Sequence, residues 1–229
     1  MTESKQSSVN FVTFEDVANR FKGKSVAIVG SSPSCLKNEN GFIDSHDVVV
    51  RINNFKTKGF EHRVGKRTDV FYSFFGSSVR KDRDDLSRQG VTLCMCKCPN
   101  SKPIQSEWHE RNRRLTGIDF SYIYKNRNHW WFCDTYIPTT DRFVEMFSLL
   151  GNHIPTSGFS CVYEFLLMDC DVYVTGFDFF SSKLHNVNEK WRPGRQDDPI
   201  GHSSERERNW FKENKHKMRL DGTLRDLLV

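Results

Sequence analysis

The stretch VAIVGSSPSCL, residues 26–36, decides the architecture. Its first four residues form a continuous apolar run, the signature of a strand buried on both faces of a parallel sheet. The run breaks at Gly30 into a turn of Ser31, Ser32 and Pro33. Open α/β sheets hold ligands outside the carboxyl ends of their strands, so this turn stands where a ligand would be gripped. It has neither the GxGxxG spacing of a dinucleotide loop nor the GxxxxGK[ST] of a P-loop.

Working outward, DVVVRIN (47–53), TDVFYSFF (68–75), VTLCMCK (91–97), DFSYIY (119–124) and DVYVTGFDFF (171–180) read as further strands. Between and around them, apolar residues recur at helical spacing in FEDVANRFKGK (14–24), with Thr13 as N-cap and Gly23 as stop. SSVRKDRDDLSRQ (77–89), PIQSEWHERNRRL (103–115), DRFVEMFSLLGN (141–152, stopped by Gly151) and SGFSCVYEFLLMD (157–169) are the next helical segments. SSERERNWFKENKHKM (203–218) closes the chain as a polar helix. Strands alternating with helices predict a single Rossmann-like α/β domain, a mainly parallel twisted sheet flanked by helices. Residues 1–10 read as a loose tail and 11–229 as that one domain.

Lys and Arg outnumber Asp and Glu by 34 to 29, a mild excess that suits an anionic ligand but falls short of a nucleic-acid-binding composition. No run approaches the ~20 apolar residues of a membrane span, and the polar MTESKQSSVN lacks the apolar core of a signal peptide. The seven cysteines are odd in number. Cys94, Cys96 and Cys98 alternate in a way that fits a strand with reduced thiols on one face and not the paired CxxC of a zinc site. These features predict a cytoplasmic protein with no transmembrane anchor.

Two segments besides the Gly30 turn carry chemistry. PTSG (155–158) opens a helix with Thr156, Ser157 and Gly158, which offer hydroxyls, unpaired backbone N–H groups and the positive end of the helix dipole to an anion. Gly158 would let the backbone approach a ligand closely. The same pattern also serves as an ordinary N-cap. GHSSERE (201–207) sets His202 at the mouth of the last helix, with Glu207 five residues on. A histidine at the positive end of a helix stays neutral, which suits a general base; acidic residues in a first helical turn are also common caps. His185, in KLHNVNEKW, falls in a polar loop-like segment. No DxD follows an apolar strand, so a DxD metal site is not expected, and no cofactor is implied.

Taken together in order, four segments resemble glycosyltransferase family 29, the sialyltransferases. VAIVGSSPSCLKNENGFIDSHDVVVRINNF is similar to the family's large sialylmotif, with Gly30, IDSHD at 43–47, Arg51 and Asn53 at its marked positions. IPTSGFSCVYEFLLMDCDVYVTGFDFF is similar to the small sialylmotif, His185 to the third motif, and HSSERE to the very small motif, His-x4-Glu. VGKRTDVFY stands where the family has a Gly-x-x-Thr segment. The chain departs from the pattern at Ser31, where the family prefers Asn, and at Val26, where animal members carry a Cys that pairs with one in the small motif.

The resemblance implies a GT-A-like variant fold and a soluble prokaryotic, phage or viral homologue. It implies a CMP-activated acidic sugar as donor, either sialic acid or Kdo, a keto-deoxy-octulosonic acid, and a glycan hydroxyl as acceptor. Gly30, Ser31, Ser32 and Asn53 would line one side of the nucleotide, and Thr156, Ser157 and Gly158 the other. His202 would be the general base, His185 would donate to the departing phosphate, and Glu207 would orient the last helix or the His202 ring. A monophosphate leaving group can be stabilised by protein donors alone, so the transfer is expected to be metal-independent and inverting. A family 42 bacterial sialyltransferase is an alternative, since its loop is near GSSPSCL. A CMP-binding domain without turnover, or a nucleic-acid-binding module built on ERNRRL, KENKHKMR, Trp130 and Trp131, is another. No nucleic-acid partner is expected on the leading reading.

Overall fold

The computed structural model describes residues 10–76, 79–99, 132–182, 184–185, 189–190 and 201–229. The helix PIQSEWHERNRRL and the strand DFSYIY lie outside them, as do Trp130 and Trp131. The described elements run β1 (Phe11–Val12), α1 (Phe14–Phe21), β2 (Ser25–Val29), β3 (Val48–Ile52), α2 (Glu61–Val64), β4 (Val70–Ser73), α3 (Arg83–Arg88) and β5 (Leu93–Cys96). They continue with β6 (Asp134–Tyr136), α4 (Thr140–Leu149), α5 (Ser157–Leu166), β7 (Asp171–Thr175), β8 (Leu184–His185), β9 (Glu189–Lys190), α6 (Ser204–Asn214), β10 (Arg219–Leu220) and α7 (Gly222–Leu227). Short 3-10 turns cover Pro33–Lys37, Ile43–Ser45 and Lys215–Lys217.

Eight strands form one sheet in the order β1-β6-β5-β4-β3-β2-β7-β10, and every neighbouring pair in it is parallel. The chain steps outward from β2 through β6, then returns to lay β7 on the other side of β2. That reversal makes the crevice between β2 and β7 the topological switch point, the place where such sheets bind ligands. The alternation of side chains divides the core in two. Val26 and Ile28 of β2, Val48 and Val50 of β3 and Leu93 and Met95 of β5 pack under α1, α4, α5 and α6. Ala27, Val29 and Val49 face the other way onto the 3-10 turns and α2, while Phe71, Cys94 and Cys96 meet α3.

Local chemistry explains the element ends. Thr13 and Asp16 form a reciprocal capping box on α1, and Gly151 takes φ +61° just beyond α4, a backbone state that favours glycine. The structure differs from the sequence reading in three places. The charged helix expected from residue 77 begins only at Arg83, because the Asp82 side chain caps it by accepting from Asp85 N. β6 was not expected, being three polar or aromatic residues with no apolar run. The last polar helix does not close the chain: α6 stops at Asn214, and β10 then joins the main sheet beside β7.

None of the seven cysteines is in a disulfide. Val26 lies opposite Val172 of β7, so the cross-link that the resemblance would put at this position does not form. Among the described residues no helix is long and apolar enough to cross a membrane.

Candidate active site

The turn after β2 lies directly against the turn after β7. Gly30 N donates to Thr175 O at 2.8 Å, and Ser32 N donates to Gly176 O at 2.9 Å. A Cβ on Gly30 would fall 2.3 Å from Gly176 O and 2.9 Å from the Phe177 ring; one on Gly158 would fall 2.6 Å from that same ring. The two glycine turns read from the sequence therefore meet across Phe177. The space above the Gly158 Cα is filled by the Phe177 ring, so its lack of a Cβ also serves packing. Ser32 is buried, and its Oγ caps the following 3-10 turn by accepting from Ser34 N at 3.3 Å. Ser31 beside it is half-buried.

At the ends of β3 and β4, Asn53 adopts φ +49°. Its Oδ1 accepts from Ser73 Oγ at 3.0 Å, and Ser73 Oγ accepts in turn from Phe75 N. Arg51 is fully buried and has a structural task. Its guanidinium donates to Val64 O at 2.6 Å and to Arg67 O and Thr68 Oγ1 at 3.1 Å, pinning the Gly-x-x-Thr segment. Asp44, of IDSHD, accepts from Lys66 N and Arg67 N and holds the same segment from the other side. His46 is buried and its Nδ1 meets the Phe42 and Ile43 carbonyls.

The convergence of greatest consequence is between PTSG and GHSSERE. Ile154 N donates to Gly201 O at 3.1 Å. His202 Nδ1 lies 2.7 Å from Ile154 O; a carbonyl can only accept, so Nδ1 carries a proton, and in the neutral ring the lone pair is then on Nε2. Glu207, buried on the first turn of α6, accepts from Thr156 N at 2.7 Å and from Thr156 Oγ1 at 2.8 Å. Thr156 Oγ1 also accepts from Phe159 N as the N-cap of α5. Glu207 thus orients the last helix against α5; the ring of His202 is set by a backbone carbonyl. Burial pushes the Glu207 carboxyl up to about 7, opposed by its bonds to Thr156 and by the charge of Lys97.

Lys97 was missed in the sequence. It follows β5 directly and is buried, its N donates to Ser73 O at 2.9 Å, and its Nζ donates to Pro155 O at 3.0 Å. The available signal was a lone cation closing the apolar run VTLCMC. The backbone of His185 lies in β8, paired with Glu189 of β9, and its side chain is outside the described part. Among the described residues no three His, Cys, Asp or Glu side chains cluster as metal ligands would. The cations of KENKHKMR are tied internally: Lys212 and Lys215 donate to the Val229 and Leu228 carbonyls, Lys217 to Asn214, and Arg219 pairs with Asp171.

The geometry thus gathers an imidazole whose Nδ1 is held by a carbonyl, a hydroxyl-bearing helix N-terminus, a buried ammonium and the Asn53–Ser73 pair at the carboxyl ends of the strands. Such a set can accept a proton from a hydroxyl and hold an anion. The model of glycosyltransferase family 29 (sialyltransferase) matches residues 12–192. A β-1,6-galactosyltransferase of Arabidopsis thaliana is 43% identical over 56 residues, which are 24% of this chain and 14% of that one. A sialyltransferase-like protein of Oryza sativa subsp. indica is 34% identical over 76 residues, 33% of this chain and 18% of that one. The matched segments thus span under a fifth of those relatives' lengths. Among solved structures, a mammalian sialyltransferase with a Gal-β-1-3GalNAc-ortho-nitrophenol ligand superposes with a TM-score of 0.56 at 21% identity, covering 89% of this chain and 71% of that one. A sialyltransferase from Campylobacter jejuni in complex with cytidine-5'-monophosphate gives 0.52 at 18% identity, covering 87% and 79%. At these identities the superpositions show a shared fold.

Proposed function

Because the chain belongs to glycosyltransferase family 29, we propose that it is a glycosyltransferase moving an acidic sugar, sialic acid or Kdo, from CMP to a glycan hydroxyl. The observation that carries this reading is the docking of GHSSERE on PTSG. It orients His202 with its basic nitrogen on Nε2, at the helix start that Thr156 and Glu207 lock. In this reaction His202 takes the proton of the acceptor hydroxyl as that oxygen attacks the anomeric carbon and the bond to the CMP oxygen breaks. The attack from the face opposite CMP inverts the anomeric centre. Ser157, Gly158 and the α5 N-terminus meet the nucleotide from one side and Gly30, Ser31, Ser32 and Asn53 from the other, with His185 donating to the departing phosphate. Ser32 and Asn53 spend part of their hydrogen-bonding capacity on the protein, so Ser31 and the backbone N–H groups are the more available donors.

His202→Ala tests this directly. It should lower turnover about 100-fold or more, the usual worth of a general base, with CMP affinity retained; near-wild-type turnover would remove His202 from the role. Wild-type turnover should persist in excess EDTA, and loss rescued by manganese would contradict a metal-independent transfer. A second reading, transfer of a neutral sugar such as galactose, for which UDP-galactose is the donor to try, is favoured by the name of the Arabidopsis relative. The two part in the nucleotide released.

A further inference from the structure

Lys97 stands at the junction of the site's two halves. Its backbone bonds to Ser73, whose hydroxyl bonds Asn53, and its ammonium reaches the carbonyl just before the Thr156 cap. The residue is 6% exposed, and among the described residues no carboxylate lies within ion-pairing distance of its Nζ. An ammonium has three N–H donors, and the neutral Pro155 carbonyl takes one without balancing the charge. A buried cation that lacks an ion pair is costly. The carboxyl nearest in effect is that of Glu207, which is engaged by Thr156 N and Oγ1 at the α5 N-terminus, lies beyond ion-pairing distance of the ammonium and is pushed up to about 7 by burial. It therefore offsets the Lys97 charge only in part, and the remaining N–H donors suit a further anion at this helix start.

We propose that Lys97 is a donor-binding residue whose ammonium contacts the phosphate of the nucleotide donor. This rests on the nucleotide-sugar reading above and deepens it. The ammonium would bind the phosphate in the ground state and hold the negative charge that grows on its oxygen as the sugar leaves, with no bond made or broken at nitrogen. Lys is suited to this as a compact point charge, and its tether to Pro155 fixes it relative to the α5 N–H groups that would share the same phosphate.

Calorimetric titration of CMP and of cytidine separates the phosphate from the base and ribose. The wild type should prefer CMP; Lys97→Met should lose about 10- to 100-fold of CMP affinity, the worth of a hydrogen bond to a charged group, with cytidine affinity unchanged. Lys97→Arg should keep most of the preference. A Met variant that retains the CMP-over-cytidine ratio, or that weakens both ligands equally, overturns the assignment. So does a variant altered only toward the intact CMP-sugar, which would put Lys97 on the sugar carboxylate instead. If the Met variant does not fold, the wild type still decides: in protein labelled at lysine, a buried ammonium resonance that is lost in Lys97→Arg should move with CMP and not with cytidine, and no movement overturns the proposal. A wild type that binds no CMP at all overturns the donor reading itself, a result distinguishable from the others.

Discussion

Phe177 separates Gly30 from Gly158, and each glycine is required for a different reason. At Gly30 a methyl group would strike the Gly176 carbonyl, backbone that is itself bonded to Ser32 N. At Gly158 it would strike only the edge of the Phe177 ring. Gly30→Ala should therefore cost about 2–3 kcal/mol and Gly158→Ala about 1–2 kcal/mol, in the range for overpacking. Urea unfolding of Gly158→Ala with and without Phe177→Leu checks the cause: the smaller side chain should reduce the cost of the methyl group, and additive costs would show that the clash lies elsewhere. At this scale the sequence was readable where a residue type has few uses. The placement of His202, Thr156 and Glu207 at two helix starts was legible, because caps and acidic first turns mark such starts. Lys97 was not, because its meaning depends on Pro155, 58 residues away, and Arg51 was legible as a motif residue but not as the buried clamp on residues 64–68.

At the scale of elements, α5 is bound to the sheet by a polar contact in an otherwise apolar layer. Glu164 is fully buried and accepts from Tyr72 of β4 at 2.9 Å and from Tyr136 of β6 at 3.2 Å. Burial raises its carboxyl from the ordinary 4.5 to about 8, against the lowering effect of the two tyrosine hydroxyls and of Arg142. The folded state therefore holds a proton that the unfolded chain releases near 4.5, so stability falls as pH rises from about 4.5 to about 8. Glu207, raised to about 7, acts in the same direction. Thermal melts between pH 5 and pH 8 should show this decline in the wild type and a shallower one in Glu164→Gln; an unchanged slope would mean that Glu164 ionises normally. The strands β2, β3, β4, β5 and β7 were legible as apolar runs. β6 and β10 were not, since a two- or three-residue strand carries no period of its own and is a strand only because β5 or β7 offers it an edge.

Across the whole molecule, the order of strands explains why segments from residue 26 to residue 207 belong to one site. The reversal between β2 and β7 opens the switch point; the Gly30 and Gly176 turns line it, and the α5 and α6 starts meet beside it through Thr156 and Glu207. Alternating strands and helices made the parallel α/β sheet readable in advance, but not the order of its strands, which long-range pairing decides. The central claim is a CMP-sugar donor at this switch point, and a donor screen tests it most directly. The protein is incubated separately with CMP-sialic acid, CMP-Kdo and UDP-galactose, and the released nucleotide is measured with wild type and with His202→Ala. The account predicts release of CMP from one of the two CMP-sugars, suppressed about 100-fold or more by the substitution. Release of UDP alone, or CMP release that is equal in the two proteins, would contradict it.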